Sequence, residues 1–250
     1  MDQIAANREL MKSNFAALDR LSTDQSLGRP QPPLEKPFGH GSEIIALPAA
    51  DPATLVDRDL FACIKRRRSR RAYTRAPLSL EELAFLLWAT QGVQRVFGRN
   101  YSTFRTVPSG GARHPFETYR GVFRITGLEP AIYRYLALSH QLLLVRRGTG
   151  FAAALTKAAL GQSFVAEGAA LFIWSCLPCR GEWRYSIAAH KTMLLDAGHL
   201  CQNLYLASEA ISAGTCAIAA YDQRAFDRFL GLDGTEEFVV YMAPVGKVGS

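Results

Sequence analysis

The chain has 250 residues, 48% hydrophobic and 20% charged, which describes a globular protein with a sizeable core, long enough for one large domain or two small ones. No stretch reaches the roughly 18 to 20 uninterrupted apolar residues of a membrane span, and Met1 to Leu21 carries charges where a signal peptide has an apolar core. This excludes a spanning protein and makes the cytoplasm the expected location; the net charge of +7 and pI near 9.3 attract nucleic acid, acidic membranes and anionic ligands alike.

From the N-terminus, Ile4, Leu10, Met11, Phe15 and Leu18 alternate with charged residues and predict an amphipathic helix over Met1 to Leu21. Six prolines between Ser22 and Pro52 predict an extended arm. Residues 1–56 thus form a helix and arm, and residues 57–250 the domain. The domain opens with Asp57-Arg58-Asp59 before a short helix through Leu60, Phe61 and Ile64 that ends in a basic run. Ser79 and Glu82 form a capping box for a helix through Leu83, Leu86, Leu87 and Trp88 that stops near Gly92.

A polar loop through Pro108 to Pro115 leads to expected strands at Tyr119 to Ile125, Ala131 to Tyr135 and Gln141 to Val145. A helix at Phe151 to Leu160 precedes the apolar strand Ala169 to Ser175. From Ile187 to Ile211, apolar residues recur at three- and four-residue steps and predict a long central helix. Strands at Thr215 to Ala219 and Phe238 to Met242 flank a helix at Gln223 to Leu230. The order predicts an α+β fold with a mixed or antiparallel sheet flanked by helices. The five cysteines, odd in number and mostly within apolar segments, read as reduced thiols. Cys176-x-x-Cys179 lacks a second pair at zinc spacing, so no metal site is expected.

Two segments carry chemistry. Lys65 to Arg71 places six cations and Ser69 in seven positions. Guanidinium forks and a hydroxyl suit a phosphate, but a solvated face or a nucleic-acid patch fits the same run. In Pro108-Ser109-Gly110-Gly111-Ala112-Arg113-His114-Pro115, the glycines let the backbone approach a flat ligand, and successive amides can bind its oxygens.

Six segments occur in an order that resembles the nitroreductase superfamily, and within it the SagB-type dehydrogenases. They are Arg67-Arg68-Ser69-x-Arg71-x-Tyr73, Leu83 to Gly92, Pro108 to Pro115, Leu160-Gly161-Gln162, Asp196 to Leu204, and Val245-Gly246-Lys247. The resemblance implies an FMN enzyme built as an intertwined homodimer with each flavin at the subunit interface. By it, Arg67, Arg68, Ser69 and Arg71 hold the phosphate and ribityl chain, with Lys247 approaching the same end. Pro108, Ser109, Gly110 and Ala112 come from the other subunit against the ring system. Gln162 faces the pyrimidine edge, and the backbone of Ile218 and Ala219 approaches N5. His199 is expected to be buried and hydrogen-bonded at the subunit contact rather than catalytic.

Members that oxidise azolines in ribosomal peptides resemble one another in a Lys-Tyr pair before the central helix, where this chain has Arg184-Tyr185. A shielded lysine can lose its proton, whereas arginine stays charged. Arg184 is therefore expected to act electrostatically, and Tyr185 to donate or accept a proton. The resemblance implies a dehydrogenase acting on a peptide- or amino-acid-derived heterocycle, without nucleic acid or membrane as partner. The alternatives are an NAD(P)H-dependent reductase of quinones or nitroaromatics and a basic nucleic-acid-binding protein without flavin.

Overall fold

Seven strands form one sheet in a computed structural model that describes residues 2–99, 101–148 and 150–249. The strands in chain order are β1 (Ile44–Ala46), β2 (Val93–Phe97), β3 (Ser102–Arg105), β4 (Phe116–Val122), β5 (Ala131–Leu136), β6 (Gln141–Arg147), β7 (Ala170–Cys176), β8 (Ala213–Thr215) and β9 (Phe238–Lys247). The main sheet runs β1-β6-β5-β4-β7-β9-β8 with every neighbour antiparallel, and β2 and β3 form a separate hairpin. The helices are α1 (Gln3–Glu9), α2 (Leu60–Arg66), α3 (Leu80–Gln91), α4 (Phe151–Ala158), α5 (Phe164–Glu167), α6 (Cys179–Tyr185), α7 (Ala189–Ala210) and α8 (Gln223–Leu230). The expected α+β architecture is therefore present, its main sheet antiparallel throughout.

Side chains alternate across a strand, so the central β7 feeds two cores. Phe172 and Trp174 pack with Leu83, Leu87, Leu200 and Leu204 of α3 and α7, whereas Leu171 and Ile173 pack with Leu155, Phe226 and Leu230 of α4 and α8. Both faces of β7 are covered, which is why its sequence is apolar without a break from Ala170 to Trp174. The capping box forms as the sequence predicts: the Glu82 amide donates to Ser79 Oγ at 3.1 Å and the Ser79 amide to Glu82 Oε2 at 3.0 Å.

Four expectations change. The N-terminal helix is split into α1 and a 3₁₀ turn at Phe15–Arg20, neither with a buried residue, because a short helix without tertiary packing does not propagate. The proline-rich arm contributes β1, which pairs with β6 where the prolines pause. The hairpin β2–β3 stands where a polar loop was expected, turning at Gly98 with φ of 62°. The strand expected at Thr215 to Ala219 ends at Thr215, and beyond it only Ile218 bridges to Met242.

Buried arginines fasten the arm, since carbonyls in a proline-rich run have few amide partners. Arg180 Nε donates to Pro33 O at 2.9 Å, Arg134 Nη2 to Lys36 O at 2.8 Å, and Trp183 Nε1 to Arg29 O at 2.9 Å. Arg180 is itself paired with Glu117 at 2.6 Å, both side chains being buried.

His114 lies among these cations, its ring Nε2 3.0 Å from Thr103 O. Burial first, then Arg105, Arg113 and Arg180, push its pKa down to about 2. A histidine whose folded pKa is depressed loses stability as pH falls below the unfolded value of about 6.5, because only the unfolded chain takes the proton. Urea unfolding should show wild type losing about 2 kcal/mol more than His114→Asn between pH 7 and pH 5. Equal losses in the two proteins would contradict this assignment.

Candidate functional site

The basic run begins at the C-terminal end of α2, whose N-cap Asp59 accepts from the amides of Phe61 and Ala62. The chain then lies alongside β8, with Ser69 bridging to Thr215 and the Arg70 amide donating to Thr215 O at 2.9 Å. This placement sorts the arginines. Arg66 pairs with Asp57 at 2.5 Å and approaches Glu209 at 3.8 Å, and Arg70 reaches Glu209 at 3.8 Å, so neither is simply a solvated charge. Among the described residues, Arg67, Arg68 and Arg71 have no carboxylate within 4 Å. Arg67 lies over the Tyr205 ring at 5.1 Å, Arg71 over Phe164 at 5.7 Å, and Arg68 is exposed.

Ser69 Oγ is 2.9 Å from the Tyr205 hydroxyl, which also accepts from the Ala217 amide at 2.8 Å. Two hydroxyls sharing one hydrogen bond leave one O–H for a ligand. Phe164, under Arg71, starts α5 just after Gln162. Gln162 Nε2 donates to Ala159 O at 2.9 Å and to Ala220 O at 2.8 Å, which brings it beside Ile218 and Ala219. Ile218 is buried and exchanges backbone hydrogen bonds with Met242, whereas Ala219 is exposed. Lys247 points elsewhere: its Nζ is held by Glu82 at 2.5 Å and Ile211 O at 2.7 Å, so its charge is already neutralised where β9 meets α3 and the end of α7.

The glycine loop is built at the other end of α7. Asp196 accepts from Ser109 Oγ at 2.6 Å and from the Gly110 amide at 3.1 and 3.2 Å, while Ser109 Oγ accepts from the His114 amide at 2.9 Å. Burial raises the Asp196 pKa against the opposing pull of these donors. The loop holds Gly111, Ala112 and His114 at φ of 60°, 54° and 45°, so its backbone is committed to the left-handed region. A Cβ at Gly111 would lie 2.5 Å from the Tyr185 hydroxyl and 2.7 Å from Arg184 Cδ. The absence of that side chain lets the loop settle directly on this pair.

Arg184 Nε donates to the Tyr185 hydroxyl at 3.1 Å and its NH1 to the Tyr101 hydroxyl at 2.8 Å. Burial works to lower its pKa, but the two phenolic oxygens more than offset this and raise it above the ordinary arginine value. Arg184 is therefore a fixed cation and hydrogen-bond donor, not a base.

One chain thus sets Arg67, Ser69 and the Ala217 amide on Tyr205, with Arg71 over Phe164 and Gln162 on Ala220 O in the neighbouring segments, and sets Ser109 and Gly110 on Asp196, with Gly111 of the same loop against Arg184 and Tyr185. Asp196 and Tyr205 are nine positions apart on the helix, about 13 Å along the axis and half a turn out of phase, so the two groups lie on opposite sides of α7. His199, expected to be buried, is half exposed in the single chain, with Nδ1 4.0 Å from Asp196. Sequence reasoning missed Tyr205 and Asp196 as anchors, although Asp196 opens one of the quoted motifs. Tyr101 gave no signal, because its partner Arg184 is 83 positions away.

Comparison with known proteins is consistent across sequence and structure. A protein of Methanocaldococcus jannaschii named as a nitroreductase is 31% identical over 183 residues, covering 73% of this chain and 87% of that protein. The trifolitoxin-processing protein TfxB of Rhizobium leguminosarum bv. trifolii is 30% identical over 133 residues, or 52% of this chain, which spans only 36% of TfxB. The Escherichia coli microcin synthetase McbBCD complex, solved with truncated pro-MccB17 bound, contains a chain that superposes with a TM-score of 0.64 at 16% identity, covering 99% of this chain and 92% of that one. The family model for the nitroreductases matches residues 64–247, which takes in both clusters on α7, and the chain belongs to the nitroreductase family.

Proposed function

We propose that the protein is an FMN-dependent oxidoreductase of the SagB type, a homodimer acting on a heterocycle carried by a peptide or derived from an amino acid. The observation that carries the flavin is the sorting of the basic run: the three arginines left without carboxylates flank Ser69, and together they match a phosphate dianion. The residues present therefore fit FMN, with Arg67, Arg68, Ser69 and Arg71 at its phosphate and ribityl end and Gln162 at the pyrimidine edge. Ile218 has already spent its amide on Met242, so the approach to N5 falls to Ala219. Lys247 contributes by fixing β9 rather than by touching the phosphate.

The dimer is supported by the separation of the two clusters and by α7 itself, which leaves Leu194 60% and Leu195 54% exposed. In this reading Pro108, Ser109, Gly110 and Ala112 close on the flavin held by the other subunit, and Arg184 and Tyr185 arrive with them. Bound FMN supplies hydride acceptance and donation. Arg184 orients Tyr185 and places positive charge beside the reacting end. Tyr185, accepting from Arg184, keeps its own O–H to pass a proton to or from the substrate. The peptide-processing context of TfxB and of the microcin synthetase supports a peptide-borne substrate. A second reading, reduction of quinones or nitroaromatics by NAD(P)H, is favoured by Arg184 itself, because a permanent cation cannot take a proton from an azoline.

The purified protein should be yellow and release one FMN per chain on denaturation. Each charge-assisted hydrogen bond is worth about 1.5 to 3 kcal/mol, so Arg67→Ala with Arg71→Ala should weaken FMN binding by at least about 100-fold while circular dichroism stays unchanged. A colourless protein that cannot be reconstituted would contradict the proposal. Stopped-flow mixing with NADPH separates the two activities: slow bleaching is expected for the dehydrogenase, and rapid bleaching would establish the reductase.

A further inference from the structure

Residues 2–21 are attached to the body in an unusual way. Among the described residues, 2–21 make no hydrogen bond or ion pair to anything outside the segment; their bonds, such as Lys12 to Glu9 at 2.6 Å and the Asp2 cap on Ile4, are all local. Neither α1 nor the 3₁₀ turn after it has a buried residue. The ring contact to the body is made by Phe15, edge-on to Tyr185 with centroids 5.4 Å apart.

Directly after this loose segment the chain is knotted. Thr23 and Ser26 exchange amide-to-hydroxyl hydrogen bonds at 2.9 and 3.1 Å, and Arg29 pairs with Asp24 at 2.9 Å. The knot is pinned to α6 from both ends, by the Gln25 amide on Trp183 O at 2.8 Å and by Trp183 Nε1 on Arg29 O at 2.9 Å. Gln25 Nε2 also donates to the Tyr101 hydroxyl that holds Arg184. A rigid anchor therefore sits beside the Arg184–Tyr185 pair, and from it projects a segment that lays Phe15 on Tyr185 and residues 10–15 against Ile187, Ala188, His190 and Lys191.

We propose that residues 2–21 form a flap hinged at Leu21–Ser22, and that Phe15 is a specificity-determining residue which limits the size of substrate reaching Tyr185. The edge-on aromatic pair is worth about 0.5 to 1.5 kcal/mol beyond its buried area, and the contact with residues 187–191 buries no residue of α1 or the 3₁₀ turn, a hold weak enough for the flap to open under thermal motion. With the flap down, a small planar molecule can enter; a heterocycle embedded in a peptide needs the ground that Phe15 covers. The inference rests on the reading that Arg184 and Tyr185 face the substrate of a bound flavin.

The test uses the full-length holoenzyme, reduced with dithionite and reoxidised in a stopped-flow instrument by 1,4-benzoquinone or by decylubiquinone. For Phe15→Ala and for a chain lacking residues 2–21, reoxidation by decylubiquinone should accelerate about tenfold or more, while the benzoquinone rate stays within twofold of wild type. Phe15→Tyr should behave as wild type. In parallel, amide exchange over residues 186–191, which needs no flavin, should speed up severalfold in Phe15→Ala. Equal acceleration with both quinones, or unchanged rates and unchanged exchange, would overturn the flap. Absence of any flavin signal would instead defeat the FMN reading, and the exchange measurement would then decide by itself whether Phe15 shields this segment.

Discussion

Helix α7 fixes the geometry on which the candidate site depends. It fastens the glycine loop through Asp196 on one side and the phosphate-suited run through Tyr205 on the other, about 13 Å apart along its axis. Because the helix is packed into the core by Leu200, Leu204 and Ala207, neither anchor can turn toward the other within the chain. A site that uses both clusters needs two copies of the helix, each lending one face, and the exposed Leu194 and Leu195 supply apolar surface for such a contact.

Charge follows the same logic at shorter range. The six cations from Lys65 to Arg71 look equivalent in the sequence, but the fold spends Arg66 and Arg70 on Asp57 and Glu209 and, among the described residues, leaves Lys65, Arg67, Arg68 and Arg71 without a carboxylate partner. The first pair ties the segment to α7 through Glu209; Arg67, Arg68 and Arg71 are the ones proposed above to meet a phosphate. Lys247 shows the converse case, a conspicuous basic residue whose charge is satisfied by Glu82 at a junction of three elements. Arg184 is pinned by two phenols, which makes it a source of field and orientation at Tyr185.

Local signals in the sequence located what local physics determines. The capping box at Ser79 and Glu82 forms, α8 spans the predicted Gln223 to Leu230, and α7 lies within the predicted stretch, because each follows from propensity and a periodic apolar face. The hairpin β2–β3 and strand β1 were not legible: β2 and β3 are short and lack a regular alternation of apolar and polar residues, and β1 is a strand only because the edge of β6 is available to it. Of the site, the motif residues were visible, but their anchors were not. Tyr205, Tyr101 and Phe164 act through contacts that no spacing rule encodes.

Subunit mixing tests the two-copy site most directly. One chain carries Arg67→Ala and Arg71→Ala, which removes the phosphate half. The other carries Gly111→Ala, which pushes the loop off Tyr185 and Arg184. At an FMN concentration just sufficient to saturate wild type, each variant alone should retain little FMN, whereas denaturing and refolding the two together should give heterodimers with one FMN per two chains, in the site built from the two intact halves. Failure to regain any flavin on mixing, with both variants folded and dimeric, would contradict a site shared between the two faces of α7.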